Sequence, residues 1–126
     1  MTRSGLLVAV VDDDASVRKA LARLLRASGF EVNVFASGND FLETVNGAPD
    51  CLLLDMHMPQ VSGLDVQAAL RARGKRVPII FITAYDDSAL RERALEQGAA
   101  AYLRKPLAEQ KLLDAISAAV GHRKGN

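Results

Sequence analysis

Cys51-Leu52-Leu53-Leu54-Asp55-Met56-His57-Met58-Pro59-Gln60-Val61-Ser62-Gly63 carries a lone carboxylate to the end of an apolar run. Residues 51–54 are apolar without a break, and no helical repeat follows before Pro59, which predicts a short central strand buried on both faces. Asp55 then falls at the carboxyl end of that strand. In an open α/β sheet ligands bind at this edge, because an acid there meets solvent while the sheet holds its backbone. Asp55 is the first candidate for chemistry.

Working outward, Leu6 to Val11 is a valine-rich run that stops at Asp12, Asp13 and Asp14, a second buried strand ending in acids. From Asp14 or Ala15 the period changes to helical. Val17, Ala20, Leu21, Leu24, Leu25 and Ser28 share one face, Arg18, Lys19, Arg23 and Arg26 the other, and Gly29 ends the helix. Glu31 to Phe35 alternates polar with apolar, as a strand near the sheet edge would. Ser37 and Asp40 form a cap-like pair for a short helix carrying Phe41, Leu42 and Val45, closed by Asn46-Gly47-Ala48-Pro49.

Beyond Asp55, Ser62 and Asp65 repeat the cap spacing for a helix running to about Arg73. Val77 to Ile82 is the next buried strand and delivers Thr83 to the same edge. Asp86 or Asp87 caps a very polar helix through Gln97, whose clear apolar positions are Leu90, Ala94 and Leu95, so it should be loosely held. Ala99 to Leu103 makes the last strand, Arg104-Lys105-Pro106 turns the chain, and Leu112, Leu113, Ile116, Ala119 and Val120 line the final helix. Strand and helix alternate five times with short connections, which predicts a doubly wound five-stranded parallel sheet with helices on both faces. The order 2-1-3-4-5 would set the Asp13 and Asp55 strands side by side, with the Thr83 strand next to them.

The bulk numbers bound the function classes. A chain of 126 residues forms one domain, 1–120, with 121–126 as a tail or the start of an interdomain linker. A net charge of +1 gives no electrostatic case for nucleic-acid or membrane binding by these residues. The single cysteine, Cys51, reads as a core residue, and the short run after Met1 does not make a signal peptide or membrane span. A cytoplasmic protein is expected.

Carboxylates about 4 Å apart at an effective dielectric near 20 repel by roughly 4 kcal/mol per pair, so an acid cluster at one edge calls for a cation. A hard divalent ion such as Mg²⁺ takes one or two carboxylates, waters and a substrate phosphate. Taken singly, the acids are also what helix N-termini favour, Lys105 would be a surface lysine and Thr83 a strand-end residue. Their convergence on one edge favours a site: a metal, an ammonium and a hydroxyl suffice for phosphoryl transfer, and a carboxylate can accept that group.

Here the chain resembles, over essentially its whole length, the response-regulator receiver domains of two-component signalling, which have the flavodoxin-like (βα)5 fold. Asp12-Asp13, Asp55, Met58-Pro59, Gly63, Thr83 and Lys105-Pro106 all stand where that family has them. The resemblance implies that Asp55 is the phosphoacceptor and that Asp12, Asp13, Asp55 and the backbone carbonyl of His57 hold Mg²⁺. It further implies that Lys105 pairs with the phosphoryl group, Thr83 hydrogen-bonds it, and the Lys105-Pro106 bond is cis. Thr83 and Tyr102 would act as the switch, reshaping the face of the fourth helix, fifth strand and fifth helix, through which a homodimer could form. His57 and Tyr85 flank the path of the hydrolytic water in this family, so Tyr85 is expected to slow phosphate loss. The His57 side chain otherwise reads as an exposed loop histidine.

The donor implied is a phosphohistidine on a sensor histidine kinase docking beside the first helix. The output is a phosphorelay to transcription through a helix-turn-helix domain outside these residues, since no recognition helix is present among them. Three other readings compete. A haloacid-dehalogenase-type phosphatase would use Asp12 and Asp14, but Ser16 departs from its motif and Asp55 is left unassigned. A flavodoxin-like cofactor binder would meet phosphate with three aspartates. A phosphorylation-independent adaptor would not require an intact acceptor, acids, threonine and lysine.

Overall fold

The computed structural model describes residues 5–44 and 48–124. Its strands are β1 (Leu7–Val11), β2 (Glu31–Phe35), β3 (Cys51–Asp55), β4 (Ile79–Thr83) and β5 (Ala101–Arg104). Its helices are α1 (Ala15–Ala27), α2 (Gly38–Thr44), α3 (Gly63–Ala72), α4 (Ser88–Glu96) and α5 (Glu109–Lys124). All strand pairs are parallel and the order is β2-β1-β3-β4-β5, the doubly wound sheet that the strand-helix alternation predicts.

Every residue of β3 and β4 is buried, as continuous apolar runs in a doubly covered sheet require. Alternate residues feed two cores. Val8, Val10, Cys51, Leu53, Ile80 and Ile82 meet Leu21 and Leu25 of α1 and Leu112 and Ile116 of α5. On the other face Val11, Leu52, Leu54 and Phe81 meet Phe41 of α2, Val66 and Leu70 of α3, and Ala94 of α4.

The caps follow the expected chemistry. Asp14 caps α1 and Asp87 caps α4, while Ser62 and Asp65 form a reciprocal capping box at α3, with bonds of 3.2 and 2.9 Å. At the start of α2 the Asp40 amide donates to Ser37 Oγ. The expected members Val45, Asn46 and Gly47 lie outside the described residues.

Details differ from the sequence reading. In α1 Ala22 is buried and Ala20 is exposed. The two alanines flank the apolar stripe on opposite sides, and the side turned to the core is the Ala22 side. In α4 only Ala94 is buried and Leu95 stands exposed. A buried polar residue supplies part of what apolar contact does not: Gln67 of α3 donates to the Ala94 carbonyl at 3.1 Å, near the end of α4. α5 continues through Gly121 to Lys124, so the stretch read as a tail or linker begins as helix.

Candidate functional site

Parallel pairing brings the carboxyl ends of β1, β3, β4 and β5 to one edge, with Val11 beside Leu54, Asp55 beside Ile82 and Thr83 beside Arg104. Asp12, one residue past β1, is fully buried, Asp55 is 4% exposed, and Asp13 is open to solvent. Each of the three offers a carboxylate oxygen, and these oxygens lie within 4.8 Å of one another.

Lys105 reaches in from the turn after β5, with Nζ 2.9 Å from Asp12 Oδ2 and 3.8 Å from Asp55 Oδ1. Its backbone is tied to the same edge, since the Lys105 amide donates to the Thr83 carbonyl at 2.7 Å. The bond to Pro106 is cis. Asp12 is held on several sides: its Oδ1 accepts from the Asp14 amide at 2.9 Å, and its carbonyl accepts from Arg18 Nη1 at 2.8 Å. Periodicity places Arg18 on the solvent face of α1, yet its half-buried side chain folds back to the site.

The loop after Asp55 is shaped closely around it. The His57 amide donates to Asp55 Oδ1 at 3.4 Å, and the Gly63 amide to the Met56 carbonyl at 3.0 Å. Gln60 has a left-handed φ of 69°, at the centre of a three-residue turn closed by Val61 N–H to Pro59 O at 2.7 Å.

The remaining expected residues surround the cluster without joining it. Thr83 is fully buried, and its hydroxyl both accepts from the Tyr85 amide at 3.1 Å and faces the Tyr85 carbonyl at 3.2 Å, a local turn. Tyr102 packs against the core on the α2, α3 and α4 face, with its hydroxyl buried and without a hydrogen bond. Burial pushes that phenol's pKa up, against a smaller opposing effect of the neighbouring Thr83 hydroxyl. His57 and the exposed Tyr85 meet edge to face, ring centroids 5.1 Å apart. Asp14 stands apart, its carboxylate capping α1 through the Ser16 amide and hydroxyl. Those two bonds hold its pKa below the usual range.

The electrostatics are unbalanced. Burial and then the Asp12 charge push the Asp55 pKa up to about 7, against Lys105 and the His57 amide, with Asp13 adding to the rise. Burial alone would lower Lys105, but its ion pairs with Asp12 and Asp55 outweigh it and the net shift is upward. Three carboxylates against one ammonium leave room for more positive charge. A small hard cation fits: the donors are all oxygen, Asp12 Oδ2 is buried with only the lysine ammonium against it, and exposed Asp13 leaves a side open to water. A groove of about 1270 Å³ lies at the opposite end of the sheet between Gln67, Arg71, Pro78 and Ala100, away from every one of these groups.

Comparison with known proteins agrees with this geometry. The family described as response regulator receiver domain matches residues 8–117. The transcriptional regulatory protein TdiR of Thauera aromatica is 43% identical over 120 residues, covering 94% of this chain and 53% of that protein. Nodulation protein W of Bradyrhizobium diazoefficiens is 43% identical over 114 residues, covering 90% and 50%. The chain thus spans about half the length of these relatives. Among solved structures, a response regulator receiver protein from Burkholderia phymatum superposes with TM-score 0.81 at 46% identity, covering 92% of this chain and 95% of that one. The fold, the clustered acids with their lysine, and this match over most of the chain place the protein in the response regulator receiver domain family.

Proposed function

We propose that the domain is a phosphorylation-activated switch in which Asp55 accepts a phosphoryl group from a phosphohistidine of a sensor histidine kinase. The observation that carries this reading is the buried Asp55 carboxylate, set among Asp12, Asp13 and Lys105 at the carboxyl edge of the sheet. An Asp55 carboxylate oxygen would form the O–P bond as the donor's N–P bond breaks, and the bonding pair would return to the imidazole nitrogen, which then takes a proton.

Mg²⁺, held by Asp12, Asp13, Asp55 and the His57 carbonyl, would supply charge neutralisation at the phosphoryl oxygens. Lys105 is already within reach of Asp55, so it would need little movement to pair with the new group. Thr83 is committed to Tyr85 and would have to exchange that local turn for the phosphoryl oxygen, which couples the site to β4, α4 and Tyr102. The face formed by α4, β5 and α5 would carry the output, including any homodimer. Relatives about twice as long, among them a transcriptional regulatory protein, support a DNA-binding domain outside these residues and a cytoplasmic location. No helix among the described residues is long and apolar enough to cross a membrane.

The test is the intact mass after incubation with acetyl phosphate. A single Mg²⁺-dependent phosphoryl adduct is expected, absent from Asp55→Asn; a folded protein that binds Mg²⁺ and takes up nothing would sink the proposal. Followed over time, the adduct should be lost about threefold or more faster from Tyr85→Ala, because the bulky ring, which meets His57 edge to face, would flank the path of the hydrolytic water. An unchanged rate would remove Tyr85 from the mechanism.

A further inference from the structure

We propose that Arg18 is a positioning residue for the acidic cluster, acting through the Asp12 carbonyl to aim the Asp13 carboxylate. This rests on the reading of the cluster as a Mg²⁺ site. Asp12 has a partner for each polar group: its amide donates to the Phe35 carbonyl at 3.2 Å, Oδ1 accepts from the Asp14 amide, and Oδ2 faces Lys105. Its carbonyl takes Arg18 Nη1 at 2.8 Å.

That carbonyl and the Asp13 amide belong to one planar peptide group, so fixing the first fixes the orientation from which the Asp13 side chain departs. Asp13 needs this support. Its carboxylate is exposed and makes no hydrogen bond or ion pair among the described residues, so the backbone alone fixes the line along which its Cα–Cβ bond leaves the chain and from which the carboxylate can reach a cation. Arg18 itself is anchored, since its amide bonds to the Asp14 carbonyl at 3.0 Å in the first turn of α1. The guanidinium therefore ties the loop's two ends together, as outer residues that orient metal ligands do.

Charge alone predicts the opposite sign. A guanidinium beside a cation site repels the cation, so if Arg18 acted only through its field, its removal would tighten Mg²⁺ binding. If it positions Asp13, removal weakens binding by about 10-fold or more.

The experiment is calorimetric titration of the whole domain with Mg²⁺, for wild type, Arg18→Ala and Arg18→Lys, at a temperature well below each melting point. A parallel readout is amide hydrogen exchange at Asp14 in metal-free protein. Arg18→Ala should raise the Mg²⁺ dissociation constant about 10-fold and speed Asp14 exchange, and Arg18→Lys, which keeps a donor, should recover most of both. Should Arg18→Ala fail to fold, Arg18→Gln takes its place, keeping an amide but shortening the reach, with the same weakening expected. Equal or tighter binding in the variants overturns the positioning role while leaving the Mg²⁺ site intact. Absence of binding by wild type overturns both.

Discussion

In metal-free buffer at pH 8, Asp55→Asn is expected to melt well above wild type, and the gap should close as the pH falls toward 4. The native pKa of Asp55 is raised from 3.8 to about 7 by burial and by Asp12. Between those values the folded state binds more protons than the unfolded state, so wild-type stability falls as pH rises through the window and levels off above it. Asparagine keeps the shape and can still accept from the His57 amide, but it has no charge to bury.

Water at the open side of the site screens part of the penalty, which leaves roughly 2 kcal/mol in favour of the variant above pH 7.5. For a domain of this size that is roughly 5–10 °C. Mg²⁺ should reverse the ranking by binding the wild-type carboxylates, and it should raise the wild-type melting point more at pH 8 than at pH 5.5, where a proton competes for Asp55. Melting curves across pH 4–8, with and without Mg²⁺, check this. A variant no more stable than wild type at pH 8 would mean that Asp55 is ionised at little cost and that the crowding of acids is relieved in some other way.

The parts of this arrangement legible in the sequence are those set by local pattern. An apolar run ending in one acid specifies a buried strand and the acid's place on the edge, which is why Asp55, Asp12, Asp13 and Lys105 could be grouped before any contact was known. Ser62 and Asp65 announce the α3 cap because the cap is a spacing. What stayed hidden depends on reach across elements. Arg18 sits on the outward helical face by periodicity, yet a long side chain one turn into α1 can fold back to Asp12, and no helical repeat encodes that. Gln67 reads as an ordinary helix residue, and its bond to the Ala94 carbonyl spans 27 residues of sequence. The choice of Ala22 over Ala20 turns on which side of the stripe meets the sheet, a question of docking angle. Gly63 was legible only as a resemblance; its physical reason is space.

Gly63→Ala should be the most damaging of three glycine substitutions, destabilising the domain by about 3 kcal/mol and slowing phosphoryl uptake with it. A Cβ at Gly63 would stand 2.7 Å from the Asp55 carbonyl oxygen, 2.9 Å from the Phe81 ring and 3.0 Å from Met56 Cα. Two of those atoms are backbone at the end of β3, so relief requires moving either the acceptor strand or the start of α3, and no rotamer change will do it. At Gly38 the nearest atoms are a Val66 methyl at 2.7 Å and a Val61 methyl at 3.0 Å, side chains that can yield, so Gly38→Ala should lose about 1–2 kcal/mol. At Gly121, inside α5, a Cβ meets nothing within 4 Å, and Gly121→Ala should gain about 0.5 kcal/mol from helix propensity. Urea denaturation of the three variants reads the order directly, with midpoints shifted at constant slope. Because the clash at Gly63 bears on the carbonyl of Asp55 itself, its variant should also take up the phosphoryl group more slowly while still folded, whereas Gly38→Ala should not. Equal uptake by both would mean that the end of β3 can give way without disturbing the acceptor, and that Gly63 serves packing alone.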